Sequence, residues 1–169
     1  MRIVVSDSSC LIDLRKASLL DAFVRLPYEL LIPNTLFDGE LVKFTAAQKR
    51  ALVRGGLRVI DLPGESVLRA VDVTRQLPRL SIHDGFAFVL AEQHAGCVLL
   101  SGDGALRTYA ASCAIEVRGV LWVIDELHRH NLVPVETLLE ALALFAADDT
   151  VRLPAREVAA SIRRYQGLG

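Results

Sequence analysis

The chain has 169 residues, 52% of them hydrophobic, and a formal net charge of −1. That length fits a single domain, residues 1–169, with a substantial core, and the near-neutral charge excludes a global basic footprint for nucleic acid. No apolar stretch approaches the roughly 18 uncharged residues of a membrane span. The N-terminus runs straight into strand-like sequence with no signal peptide, so the expected location is cytoplasmic, with no membrane partner. Hydrophobic richness at a mean hydropathy of +0.37 leaves apolar surface for another subunit or partner and sets the expectation of a homodimer, a small protein partner, or both. The three cysteines, Cys10, Cys97 and Cys113, sit in apolar context without CxxC spacing and read as buried thiols.

Short apolar runs alternate with longer helical patterns. RIVVS (2–6) opens the chain as a strand and leads into a helical pattern over about 9–24. ELLIP (29–33) is the second strand, followed by a broken helical stretch over about 34–54. LRVID (57–61) precedes helices over about 64–76 and 82–95. CVLLS (97–101) leads to a helix over about 104–113, and IEVRG (115–119) is the last strand. The first and fourth strands are continuous apolar runs, as expected of parallel strands covered on both faces. This order predicts an α/β three-layer sandwich with a central, mainly parallel five-stranded sheet. Helices over about 120–130, 135–147 and 155–166 form a helical C-terminal extension, residues 120–169.

In open parallel sheets, function collects beyond the carboxyl ends of the strands, where strand order reverses. Two strands here lead to aspartates, Asp7 after VVS and Asp103 after VLLSG. Both stand where helix N-caps stand, and Asp is a preferred cap. Asp84 in SIHDGFAFVLA has capping-box spacing from Ser81. Glu40 in PNTLFDGEL also reads as a solvated helix residue. Taken together, four carboxylates flanking one crevice would repel one another, and burying them uncompensated costs several kcal/mol. A divalent cation removes that cost, and an oxygen-only ligand set suits Mg²⁺ or Mn²⁺, one ion or two.

The blocks VVSDSSCLIDL, IPNTLFDGEL, LSIHDGFAFVLA, LLSGDGALRTYA and IEVRG resemble, in this order, those of the PIN domain, especially its VapC-like toxin branch. The resemblance covers roughly residues 3–119. It implies a metal-dependent ribonuclease fold in which Asp7, Glu40, Asp84 and Asp103 take the four acidic positions. Glu40 is preferred to Asp38 because Leu41 follows it, and Asp38 is expected to point away. Ser101 falls where the family has a Thr or Ser that orients the cluster, and Ser8 or Ser9 takes a similar part beside Asp7. Gly104 follows Asp103 where some members carry a polar or acidic residue. The implied reaction is hydrolysis of RNA phosphodiester bonds, with an antitoxin protein as partner if the toxin branch applies. Arg107, one helical turn past Asp103, is placed either to hold a substrate phosphate or to form an exposed ion pair. The alternative to an enzyme is a catalytically silent PIN-like binding module acting through a protein partner.

Other families fit less well. His83-Asp84 is an HD dipeptide, but no histidine lies upstream to complete an HD phosphohydrolase. A haloacid-dehalogenase-like phosphatase needs a second Asp two residues after Asp7, and Ser9 is there. The acidic pair and later Lys of a receiver domain are also missing. Trp122, the sole tryptophan, reads as a packing residue.

Overall fold

The structure is a computed structural model describing residues 1–169. Its centre is a sheet of five strands, β1 (Ile3–Ser6), β2 (Glu29–Pro33), β3 (Arg58–Ile60), β4 (Val98–Leu100) and β5 (Glu116–Arg118), in the order β3-β2-β1-β4-β5. Every pairing is parallel, with Val5 opposite Leu31 on one side and Leu99 on the other. The sheet is therefore parallel throughout rather than mainly so. Burial follows strand position: Val4, Val5, Val98, Leu99 and Leu100 are sealed in the centre, while Arg58 and Arg118 are exposed on the edge strands.

The helical patterns expected at 9–24 and 34–54 each divide in two. The first gives α1 (Ser8–Lys16) and α2 (Leu20–Phe23), with Ser18 between them at φ 57. The second gives α3 (Asn34–Gly39) and α4 (Ala46–Gly55), separated where Thr45 forms a capping box with Gln48. The cap satisfies free backbone N–H groups and so fixes a new helix start. Then follow α5 (Gly64–Gln76), α6 (Ile82–Glu92), α7 (Gly104–Ser112), α8 (Val120–Arg129), α9 (Val135–Ala147) and α10 (Ala155–Gln166).

The chain moves from β1 outward to β3, then crosses back to β4 and on to β5. Right-handed crossovers place helices from the outward run and the return run on opposite faces. Accordingly α1, α2 and α4 form one packed group and α5, α6 and α7 the other. Residues 85–91 of α6 are all buried, because this helix lies between the sheet and α5. The approach is close enough that a Cβ on Gly85 would meet the Ala70 carbonyl oxygen at 3.1 Å.

The C-terminal helices are part of the packed body. Helix α8 packs on α1 and α2, α9 on α8, and α10 on α9. Tyr28 donates its hydroxyl to buried Glu126 of α8, and its ring lies 5.7 Å from that of Trp122. Trp122 is thus a packing residue. All three cysteines are free; Cys10 and Cys97 are buried, but Cys113 is exposed, because it caps the C-terminal end of α7. No helix is long and apolar enough to cross a membrane.

Candidate active site

Strands β1 and β4 are neighbours, and the chain leaves them in opposite directions. Their carboxyl ends therefore form the switch point at which a parallel sheet opens a crevice. A cleft of about 270 Å³ lies there. Asp7, Glu40, Asp84 and Asp103 all line it, together with Ser8 and Ser9. Asp38 is exposed and outside it.

Each carboxylate is held by a local hydrogen bond that follows from its place in the chain. Asp7 caps α1, accepting from the Cys10 amide at 3.1 Å. Asp103 caps α7, accepting from the Leu106 amide at 2.8 Å. Asp84 closes a capping box with Ser81, accepting from its amide at 2.8 Å. Capping and cleft lining are thus the same placement, since a helix N-terminus carries unpaired N–H groups and a partial positive charge that favour a carboxylate. Glu40 follows α3 and is reached from α1, where the Ser8 hydroxyl donates to its carboxylate at 2.6 Å.

The serines divide the supporting work. The Ser9 hydroxyl donates to Asp7 at 2.8 Å and accepts from the Gly102 amide at 3.1 Å, so it ties the turn after β1 to the turn after β4. Ser101 is fully buried, and its hydroxyl accepts from the Asp103 amide at 3.0 Å. Ser8 therefore orients Glu40, and Ser9 orients Asp7.

Arg107 is not brought to the cleft. Its guanidinium donates to the Ser101 carbonyl at 3.1 Å and crowds Gly119, where a Cβ would come within 2.8 Å of Nη1. It braces the turn after β4 against the start of α8, and makes no ion pair.

The carboxylates sense their confinement. Asp7 is 5% exposed, and burial pushes its carboxyl up to about 6, against the lowering effect of Ser101, Cys10 and Ser9, with the Asp84 charge adding to the rise. Asp84 is also raised, chiefly by burial, with the charges of Asp103 and Glu40 contributing. A set of oxygen donors that oppose one another's ionisation suits a hard divalent cation. As they stand, no three Asp, Glu, His or Cys side chains are close enough to hold one ion. Each carboxylate is held by its own cap or serine.

The cleft also holds residues that reasoning from the sequence missed. Asp13 and Lys16 line it from α1, His83 from α6, and Thr150 and Arg152 from the connection between α9 and α10. Helical spacing could have found the first two, because Ser9, Asp13 and Lys16 share one face of α1. Burial pushes the Asp13 carboxyl up to about 6, with Lys16 opposing the rise and Asp7 and Asp148 adding to it. Nothing in the local sequence signals Thr150 or Arg152, which are brought in by tertiary packing.

Among protein families, a family model described as a PIN domain matches residues 3–166. No curated protein matches the chain.

Proposed function

The chain belongs to the PIN-domain family, a nuclease-like fold, and we propose that it is an endoribonuclease hydrolysing RNA phosphodiester bonds with Mg²⁺ or Mn²⁺. The observation that carries this reading is convergence. Asp7, Glu40, Asp84 and Asp103 come from four separate segments, yet line one cleft at the ends of β1 and β4. Under this proposal these four residues hold the cation, one ion or two. When bound, a divalent cation polarises a phosphoryl oxygen and makes water a competent nucleophile near neutral pH.

The chain's own residues set the conditions for that chemistry. Ser8 and Ser9 hold Glu40 and Asp7 toward the cleft, and Ser101 fixes the turn that carries Asp103. The N-termini of α1, α6 and α7 favour the ionised carboxylates that a cation requires. An empty acidic cleft repels a phosphodiester, so RNA binding and turnover depend on prior loading. No nucleophilic serine is needed, and the hydroxyls of Ser8 and Ser9 are committed to carboxylates.

The likeness of the sequence blocks to the toxin branch supports a protein antitoxin as partner, and the hydrophobic richness of the chain at near-zero net charge supports a homodimer. The test is cleavage of a fluorescently labelled single-stranded RNA with Mn²⁺, with Mg²⁺ and with EDTA. Wild type cleaves only with metal, and Asp103→Asn does not cleave. Metal-independent cleavage that survives Asp103→Asn, or no cleavage under any of these conditions, would overturn the reading. The second result favours a silent binding module.

A further inference from the structure

Two cations line the cleft, Lys16 and Arg152, and they differ in how they are engaged. Lys16 is occupied: its ammonium donates to the Thr150 hydroxyl and lies 3.8 Å from the Asp148 carboxylate. Arg152 is exposed and takes part in no hydrogen bond or ion pair of the side chains.

The connection that carries Arg152 is held at several points. The Asp148 carboxylate accepts from the Thr150 amide at 2.9 Å, and the Asp148 carbonyl accepts from the Val151 amide at 3.0 Å. Val151 is buried in the core, and Leu153 packs against that core from the other side of Arg152. With Lys16 fastening the loop to α1, the backbone at Arg152 is fixed, while its guanidinium is free at the edge of a cleft otherwise rich in carboxylates.

We propose that Arg152 is the substrate-binding residue that grips a backbone phosphate of the RNA strand, and that the α9–α10 connection exists at this place to deliver it. The inference rests on the nuclease reading above for the identity of the strand. A guanidinium offers two parallel N–H donors to a phosphate, and one on a fixed backbone loses less freedom on binding than one on a mobile loop. The position accounts for two features at once. It gives the C-terminal extension a role in the site, and it places a guanidinium at the cleft, which Arg107, committed to Ser101, does not line.

The experiment compares Arg152→Ala, Arg152→Lys and the control Arg156→Ala, which removes the same charge from an exposed position outside the cleft. Binding of a fluorescein-labelled single-stranded RNA is followed by anisotropy with Ca²⁺ in place of Mn²⁺ and all four cleft carboxylates kept, so that the cleft is loaded while the strand stays intact. Arg152→Ala should weaken binding about tenfold, as expected for loss of a hydrogen bond to a charged group. It should also reduce the salt slope by about 0.7, as for loss of one phosphate contact on a single strand. Arg152→Lys should recover part of the affinity, and Arg156→Ala should match its parent. In the otherwise unaltered enzyme, Arg152→Ala should raise KM and leave kcat within about twofold.

Equal affinity and salt slope for Arg152→Ala and Arg156→Ala would overturn the proposal. So would a lowered metal-free melting temperature with unchanged affinity, which would make Arg152 an internal counter-ion for the carboxylates. The two readings separate cleanly. If the protein cleaves RNA and Arg152→Ala has an unchanged KM, the phosphate grip fails and the nuclease reading stands. If nothing is cleaved yet Arg152→Ala still loses affinity and salt slope, the grip stands and the nuclease reading fails.

Discussion

The hydroxyl of Ser8 donates to the carboxylate of Glu40 at 2.6 Å across 32 positions of sequence. This bond joins the first turn of α1 to the residue after α3, and is the contact that draws Glu40 toward Asp7. Ser8→Ala is expected to cost about 1 kcal/mol of stability, the usual size for one partly buried hydrogen bond. It should also lower Mn²⁺ affinity several-fold, because Glu40 is released to solvent. Thermal melts across a Mn²⁺ titration check both effects. An unchanged Mn²⁺ midpoint would remove Glu40 from the ligand set.

Asp103→Asn separates capping from metal holding. Asn caps a helix almost as well as Asp, so the bond to the Leu106 amide survives the change. Metal-free Asp103→Asn should then be as stable as wild type, or more so as one repelling charge is gone. Wild type should gain about 2.7 kcal/mol when free Mn²⁺ is a hundredfold above its Kd, and the variant much less. Equal gains in the two proteins would refute a metal site at Asp103.

Stability against pH has a definite sign at Asp7. Its folded carboxyl is raised to about 6, above the ordinary value near 4 of an unfolded aspartate. The folded protein therefore binds this proton more tightly. Its contribution to stability is fully present below about pH 4 and is lost as pH rises through about 6. For so buried a group the loss is on the order of 2–3 kcal/mol. Asp13 acts in the same direction, and Glu116 and Asp148, whose carboxyls are lowered, act in the opposite one. Comparison with Asp7→Asn isolates the Asp7 part. At about pH 7.5 and without metal, Asp7→Asn should be the more stable protein, and the gap should close as pH falls below about 6. A gap independent of pH would mean that Asp7 titrates normally.

Gly85 sets how closely α6, and with it Asp84, approaches the rest of the fold. An added Cβ would lie 3.1 Å from both the Ala70 carbonyl oxygen and Thr74 Cγ2. Ala gains about 1 kcal/mol of helix propensity over Gly, but crowding in a packed interior costs about 1–3 kcal/mol. Gly85→Ala should thus lower stability by about 1 kcal/mol and weaken the Mn²⁺ response as α6 is pushed off α5. A variant more stable than wild type, with an unchanged Mn²⁺ response, would show that Asp84 does not depend on this packing.

The sequence by itself determined a parallel sheet with two central strands, and the tertiary structure placed them side by side at the switch point. Continuous β-branched and leucine runs at 2–6 and 97–101 can be buried on both faces only as central parallel strands, and the observed order puts β1 beside β4. Three of the four acidic positions were also legible, because strand ends and helix caps are written locally, in VVSD, LLSGD and the Ser81–Asp84 box; Glu40 was implied only by the resemblance of IPNTLFDGEL to a PIN-domain block. Tertiary structure decided the rest. Ser9 rather than Ser8 supports Asp7, because the turn after β4 brings the Gly102 amide to the Ser9 hydroxyl. Arg107 has the right spacing from Asp103, yet the closeness of Ser101 and Gly119 takes its guanidinium away from the cleft. Arg152 is 145 residues from Asp7 by their numbers and has no local signal at all. It reaches the cleft because α8 packs on α1, α9 on α8, and Lys16 fastens the returning loop. Contacts of that range depend on the whole core closing, and no window of sequence contains them.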